Sequence, residues 1–169
     1  MKTLALAAMA MSASLANPNP SQSWTETKIR KELVTMPFLS IYDNLSFSVN
    51  DGTVTLTGAV IRPTLKSQAE KLAGNVEGVR QVVNNIEVLP LSPFDDSIRI
   101  RTARAIYGYG PMQRYALGAN PSIRIIVKNG NVTLQGVVAN EMDKNIAGIR
   151  TNGVSGAFSV TNNLRVSRS

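Results

Sequence analysis

The chemistry-bearing part of this 169-residue chain is a basic and aromatic stretch in its second half. Arg99, Arg101 and Arg104 fall within six residues, and Tyr107, Tyr109, Arg114 and Tyr115 follow. A guanidinium pairs with phosphate oxygens through parallel hydrogen bonds, and a tyrosine ring suits the headgroup level of a bilayer. Arg99, Arg101, Arg104 and Arg114, with Tyr109 and Tyr115, are therefore the candidate lipid-binding residues. Two plainer readings stand beside this one. The arginines also describe a solvated face that keeps the chain soluble. Residues 107–115 also describe a Gly-rich loop whose rings pack locally, which is the commoner use of such a composition.

Other chemistries are excluded by composition. The chain has no Cys and no His. Disulfides, thiolate metal sites, a lipid on a leader cysteine and hydrolases built on Ser-His, Cys-His or His-bound zinc are unavailable to it. No carboxylate pair recurs at matching positions, so neither a catalytic set, nor a metal site, nor a cofactor is expected.

The net charge of +7 is unevenly placed. Residues 17–92 hold seven Lys/Arg and seven Asp/Glu, whereas residues 93–169 hold ten against four, an excess of six. A polyanionic partner is implied for the second half. The first 16 residues explain why anionic lipid fits that role better than nucleic acid. Lys2, the apolar run Leu4 to Met11 and Ser14-Leu15-Ala16 have the three-part form of a cleaved secretory leader, which predicts export, a periplasmic location and a mature chain from Asn17. The apolar run is shorter than the ~20 residues needed to span a bilayer, and no later segment approaches that length.

The elements that position these residues come from an internal repeat with an offset of 78. Asp51-Gly52-Thr53-Val54-Thr55-Leu56-Thr57-Gly58 matches Asn129-Gly130-Asn131-Val132-Thr133-Leu134-Gln135-Gly136, and Val82 to Val88 matches Val160 to Val166. Within each copy, alternating apolar residues on both sides of an Asx-Gly turn predict a hairpin. Gly58 and Gly136 fall on the apolar face, either to admit a crossing helix or to mark a bulge. A helix follows: Leu65, Ala69, Leu72, Ala73 and Val76 keep helical spacing after Pro63, and Gly78 ends it. Its twin runs from Asn140 to Val154, with Asn140 and Asp143 as a capping pair and Gly156 in the place of Gly78. A third strand puts Asn84, or Asn162, on the inward face, where a buried amide ties down a neighbouring turn or helix end. Each copy also opens with a helix, capped by Ser23-Trp24-Thr25-Glu26 in the first and by Asp95 or Asp96 in the second.

The expected fold is thus α+β: two αββαβ modules, each a three-stranded sheet covered on one face by two helices. The first spans residues 24–89, a proline-bearing linker 90–93, and the second 94–167. Modules this small have marginal cores, which favours packing between the copies.

The helix, the DG-x-V-T-L-x-G hairpin, the Ala-centred helix and the G-V-x-x-V-x-N-x-I-x-V strand together resemble the BON (bacterial osmotically inducible and nodulation) domain. The resemblance covers residues 24–89, and Ser122 to Val166 in the second copy. It implies attachment to phospholipid or to envelope surfaces, often under osmotic stress, without catalysis, and the partners expected are an anionic phospholipid surface or envelope proteins. It carries over only fold-holding residues: Asp51, Gly52, Gly58, Gly78 and Asn84, with Asn129, Gly130, Gly136, Gly156 and Asn162. The second copy departs from the pattern between Tyr107 and Pro121, where about five extra residues put its first helix in doubt. A chaperone-like adaptor that pairs client strands with an exposed sheet edge is the alternative function.

Overall fold

The computed structural model describes residues 20–118 and 120–167, so the leader expected over residues 1–16 lies outside the described residues. The elements run α1 (Pro20–Val34), β1 (Asn44–Asn50), β2 (Thr53–Val60), α2 (Pro63–Gly74) and β3 (Gln81–Val88) in the first unit. The second has α3 (Pro93–Tyr107), a 3₁₀ helix (Gly110–Tyr115), β4 (Ile123–Lys128), β5 (Asn131–Val138), α4 (Glu141–Asn152) and β6 (Ser159–Val166). Each unit is the expected αββαβ module, with sheet orders β1-β2-β3 and β4-β5-β6.

The topology follows from connection length. The two-residue turns Asp51-Gly52 and Asn129-Gly130 permit only antiparallel pairing, so β1 lies against β2 and β4 against β5. All four turn residues have positive φ, between 46° and 77°, which Asx and Gly tolerate. The third strand of each unit pairs parallel to the second, which requires the crossover that α2 and α4 supply. One side of each sheet is apolar. Val54, Leu56, Val60 and Ile86 meet Ile29, Leu33, Leu65 and Ala69, while Ile123, Ile125, Leu134 and Leu164 meet Ile98, Ile106 and Ala147.

Several local expectations change. Ser23 is not a cap, because α1 already contains it and its carbonyl accepts from the Thr27 hydroxyl four residues on. Ser92, not Asp95 or Asp96, caps α3, accepting from the Asp95 N–H at 3.2 Å. α2 stops at Gly74 rather than at Gly78, which has φ +89° and turns the chain toward β3. The glycines of β2 and β5 admit no helix. A Cβ on Gly58 would lie 2.0 Å from the Asn44 carbonyl oxygen, and one on Gly136 would lie 1.9 Å from that of Ser122, both backbone atoms at the start of the neighbouring strand. The close helix approach is at Gly148 of α4, whose missing Cβ leaves room for the Asn162 amide.

The inward asparagines behave as expected. Asn84 donates to the Lys66 carbonyl of α2 at 3.0 Å, and Asn162 to the Lys144 carbonyl of α4 at 2.8 Å. The capping pair of α4 also forms: the Asp143 N–H donates to Asn140 Oδ1 at 2.8 Å.

The units are joined by more than their linker. Residues 38–43 form a tongue held by Asp43, a buried carboxylate that accepts from the Ser40 N–H and hydroxyl and from the Ile61 N–H. The tongue lies on the outer edge of β4. The Ile125 N–H donates to the Ile41 carbonyl at 2.8 Å, and Arg124 donates to that of Ser40 at 2.9 Å. Ile41 and Tyr42 pack onto the second unit's core.

Candidate functional site

The basic and aromatic residues divide into a buried group and an exposed one. Arg99 belongs to the first: it is 2% exposed, donates to the Val127 carbonyl at 2.7 Å and pairs with Asp96. A guanidinium so held cannot meet a lipid headgroup, so Arg99 is removed from the lipid-binding set. Tyr115 is removed too. It is 9% exposed, with its hydroxyl donating to Asp143 and accepting from the Ala139 N–H at 2.8 Å. The reason is the segment 107–115, which leaves α3 intact and, as the loop reading expects, packs its Tyr107 and Tyr115 rings locally. It continues from a complete 15-residue helix into a 3₁₀ turn that drives Met112 and Tyr115 into the core. Tyr107 is likewise structural: its hydroxyl donates to the Ile123 carbonyl at 2.7 Å, and burial pushes its pKa up to about 12.

Arg114 is intermediate. It pairs with Asp143 and covers the Tyr115 ring at 5.0 Å, while half of its side chain stays in solvent. The hydrogen bond to Asp143 raises its pKa further. Burial pushes the Asp143 carboxyl up, but the hydrogen bonds from Tyr115 and Arg114 outweigh it and hold the group below its ordinary value.

Arg101, Arg104 and Tyr109 remain on the surface. On α3 the spacing of 94, 101 and 104 places Phe94, Arg101 and Arg104 along one exposed stripe. Phe94 stacks on Phe158 at 5.7 Å, and Phe158 is 74% exposed. At the far end of α3 the Arg150 guanidinium of α4 covers the Tyr109 ring at 4.5 Å. Rings thus mark the two ends of α3, with Arg101 and Arg104 exposed between them. Phe158 and Arg150 were not legible as members, because they come from the turn before β6 and from α4. Nor was Asp95, whose buried carboxylate accepts from the Asn129 and Gly130 N–H groups at 2.9 and 2.8 Å and so fixes the β4-β5 turn to α3.

The stripe offers positive charge and apolar rings, but no acid and base arranged for chemistry. No group of three or more metal-binding side chains occurs among the described residues, and none of the described helices is long and apolar enough to cross a membrane.

Two repeated α+β modules with an unequal surface define the class: a tandem small-domain protein in which one copy holds the excess positive charge. The BON domain family model matches residues 21–90 and 114–168, and the chain belongs to that family as a tandem BON domain protein. No curated protein matches it. Two solved structures of CdsD, the structural protein of the type III secretion system of Chlamydia trachomatis, are similar to it at 12% identity. One, of the C-terminal domain, has a TM-score of 0.34 and covers 84% of this chain and 96% of that one; the other has 0.35, 85% and 92%.

Proposed function

We propose that this is a non-enzymatic periplasmic protein of the osmotic-stress and envelope type that associates with anionic phospholipid surfaces through its second unit. BON domains are binding domains rather than catalysts, and membranes and proteins are their known partners. The observation that carries the lipid reading is the exposed stripe of α3, where Arg101 and Arg104 lie between the Phe94–Phe158 pair and Tyr109. Rings suit the interface and guanidinium groups pair with phosphate. At about 1 kcal/mol per basic residue near an anionic surface, Arg101, Arg104 and Arg150 give weak association that weakens with salt, while the charge of Arg114 is offset by Asp143.

Co-sedimentation with phosphatidylglycerol vesicles tests the reading. Binding at low salt, its loss at high salt and its loss in Arg101→Glu/Arg104→Glu support it. Equal binding to uncharged phosphatidylcholine vesicles, or none to either, overturns it. A second reading, a chaperone-like adaptor, is favoured by the outer edges of β3 and β6, where each sheet ends. Pull-down from envelope extract that recovers lipid but no reproducible protein counts against that alternative.

A further inference from the structure

A second surface feature is unrelated to the α3 stripe. A cleft of about 490 Å³ lies between the units, walled by the Asn44 and Ala59 end of the first sheet and by the helix-free face of the second. Its volume falls in the range of small-molecule sites, ~300–1,000 Å³.

The cleft's chemistry is specific. Asn131, Thr133 and Gln135 of β5 line one wall and Asn44 the other, and the Asn44 amide donates to the Gln135 side-chain oxygen across the gap. Lys128 and Glu87 are the only formal charges among the lining residues and they pair with each other, so neither an anion nor a cation finds an uncompensated partner. No aromatic ring lines it, which removes the stacking surface a nucleobase needs. Ile126 and Leu89 give an apolar base. Asn131 is held by the Lys128 and Asn129 carbonyls and the Ser159 hydroxyl, so the Thr133 hydroxyl, the Gln135 amide nitrogen and the Asn44 amide oxygen are the groups that, over a small apolar floor, complement a neutral ligand dense in hydroxyl or acetamido groups.

The duplication supplies an independent observation. At the offset of 78, Asn131, Thr133 and Gln135 correspond to Thr53, Thr55 and Thr57. In the first unit these positions carry only hydroxyls; in the second, two of the three are amides, and there the other unit's sheet forms an opposite wall. The copies diverge in hydrogen-bonding capacity where a cleft exists.

We infer that this cleft binds a neutral saccharide segment, with Thr133, Gln135 and Asn44 reading its hydroxyl or acetamido groups beside Asn131. The shared chemistry is a polyhydroxylated chain, and two probes separate its sources: maltotriose, with hydroxyls alone, and tri-N-acetylchitotriose, with acetamido groups. The ¹⁵N-labelled full chain is titrated with each to about 10 mM and followed by NMR. The inference expects the side-chain amide signals of Asn44, Asn131 and Gln135 to move with one or both probes, with weak saturable binding. Thr133→Val/Gln135→Ala should weaken that binding by about tenfold or more, since each lost hydrogen bond is worth ~1 kcal/mol. The variant's amide spectrum away from the cleft reports whether it is folded, and Gln135→Asn, with a shorter amide, is a second variant expected to bind in between. Failure of both sugars to move these signals overturns the inference, as does binding that a folded Thr133→Val/Gln135→Ala retains in full. The vesicle experiment reads α3 and is indifferent to the result.

Discussion

Arg99 and Arg101 are two residues apart on α3 and have opposite roles. The first is enclosed and bound to the Val127 carbonyl, the second is in solvent. Arg99→Ala should therefore cost about 2 kcal/mol in urea unfolding, by stranding that carbonyl, while leaving vesicle binding per folded molecule unchanged. Arg101→Gln should do the reverse. Asp95 is a stronger case, since one carboxylate serves two turn N–H groups. Asp95→Ala should cost about 3 kcal/mol by the same measurement, because hydrogen bonds to a charged acceptor are worth more than neutral ones. Asp143, Tyr107 and Tyr42 contribute to the pH dependence, and burial raises Tyr42 in the same direction as Tyr107. Asp143 titrates below its unfolded value, so its contribution is present above the unfolded pKa and lost as pH falls through the folded one. Tyr107 is raised to about 12, so its contribution is complete below the ordinary value near 10 and fades as pH rises toward 12. Thermal unfolding should thus show an acid limb that Asp143→Asn flattens and an alkaline limb that Tyr107→Phe flattens.

At the scale of elements, the hairpins and the asparagine ties were legible because their signals are local and appear twice. Asx-Gly between alternating strands specifies its own turn, and a polar residue at the same place in both third strands implies a partner in both. The placement of Arg99 was not legible. A helical stripe tells which side is apolar, but Arg99 sits at its margin and is buried by a strand 28 residues away. The 3₁₀ turn was hidden for a similar reason, since Gly, Pro and Tyr suit a loop equally well until Met112 and Tyr115 find a core to enter. Gly136 was located correctly and explained wrongly, because the crowding comes from backbone on the adjacent strand. Gly136→Ala should cost at least the ~1–3 kcal/mol of a strained backbone position, visible as a lowered unfolding midpoint.

At the scale of the molecule, the docking of the tongue was not readable at all. Residues 38–43 have no periodicity, and their partners lie more than 80 residues away. Because Ile41 and Tyr42 complete the second unit's core, calorimetry should show one cooperative transition for the chain, and Asp43→Ala, which frees the tongue, should split it into two.

That tongue also bears on a hazard of gene duplication. Val54 and Leu56 correspond to Val132 and Leu134, so either hairpin presents much the same apolar side to either third strand, Ile86 or Leu164 included. Among the described strands, β4 finds an edge partner in the segment just before β1, through Ile41 and Ser40. Both bonds go to the second hairpin, so the tongue makes two similar halves unequal at their edges.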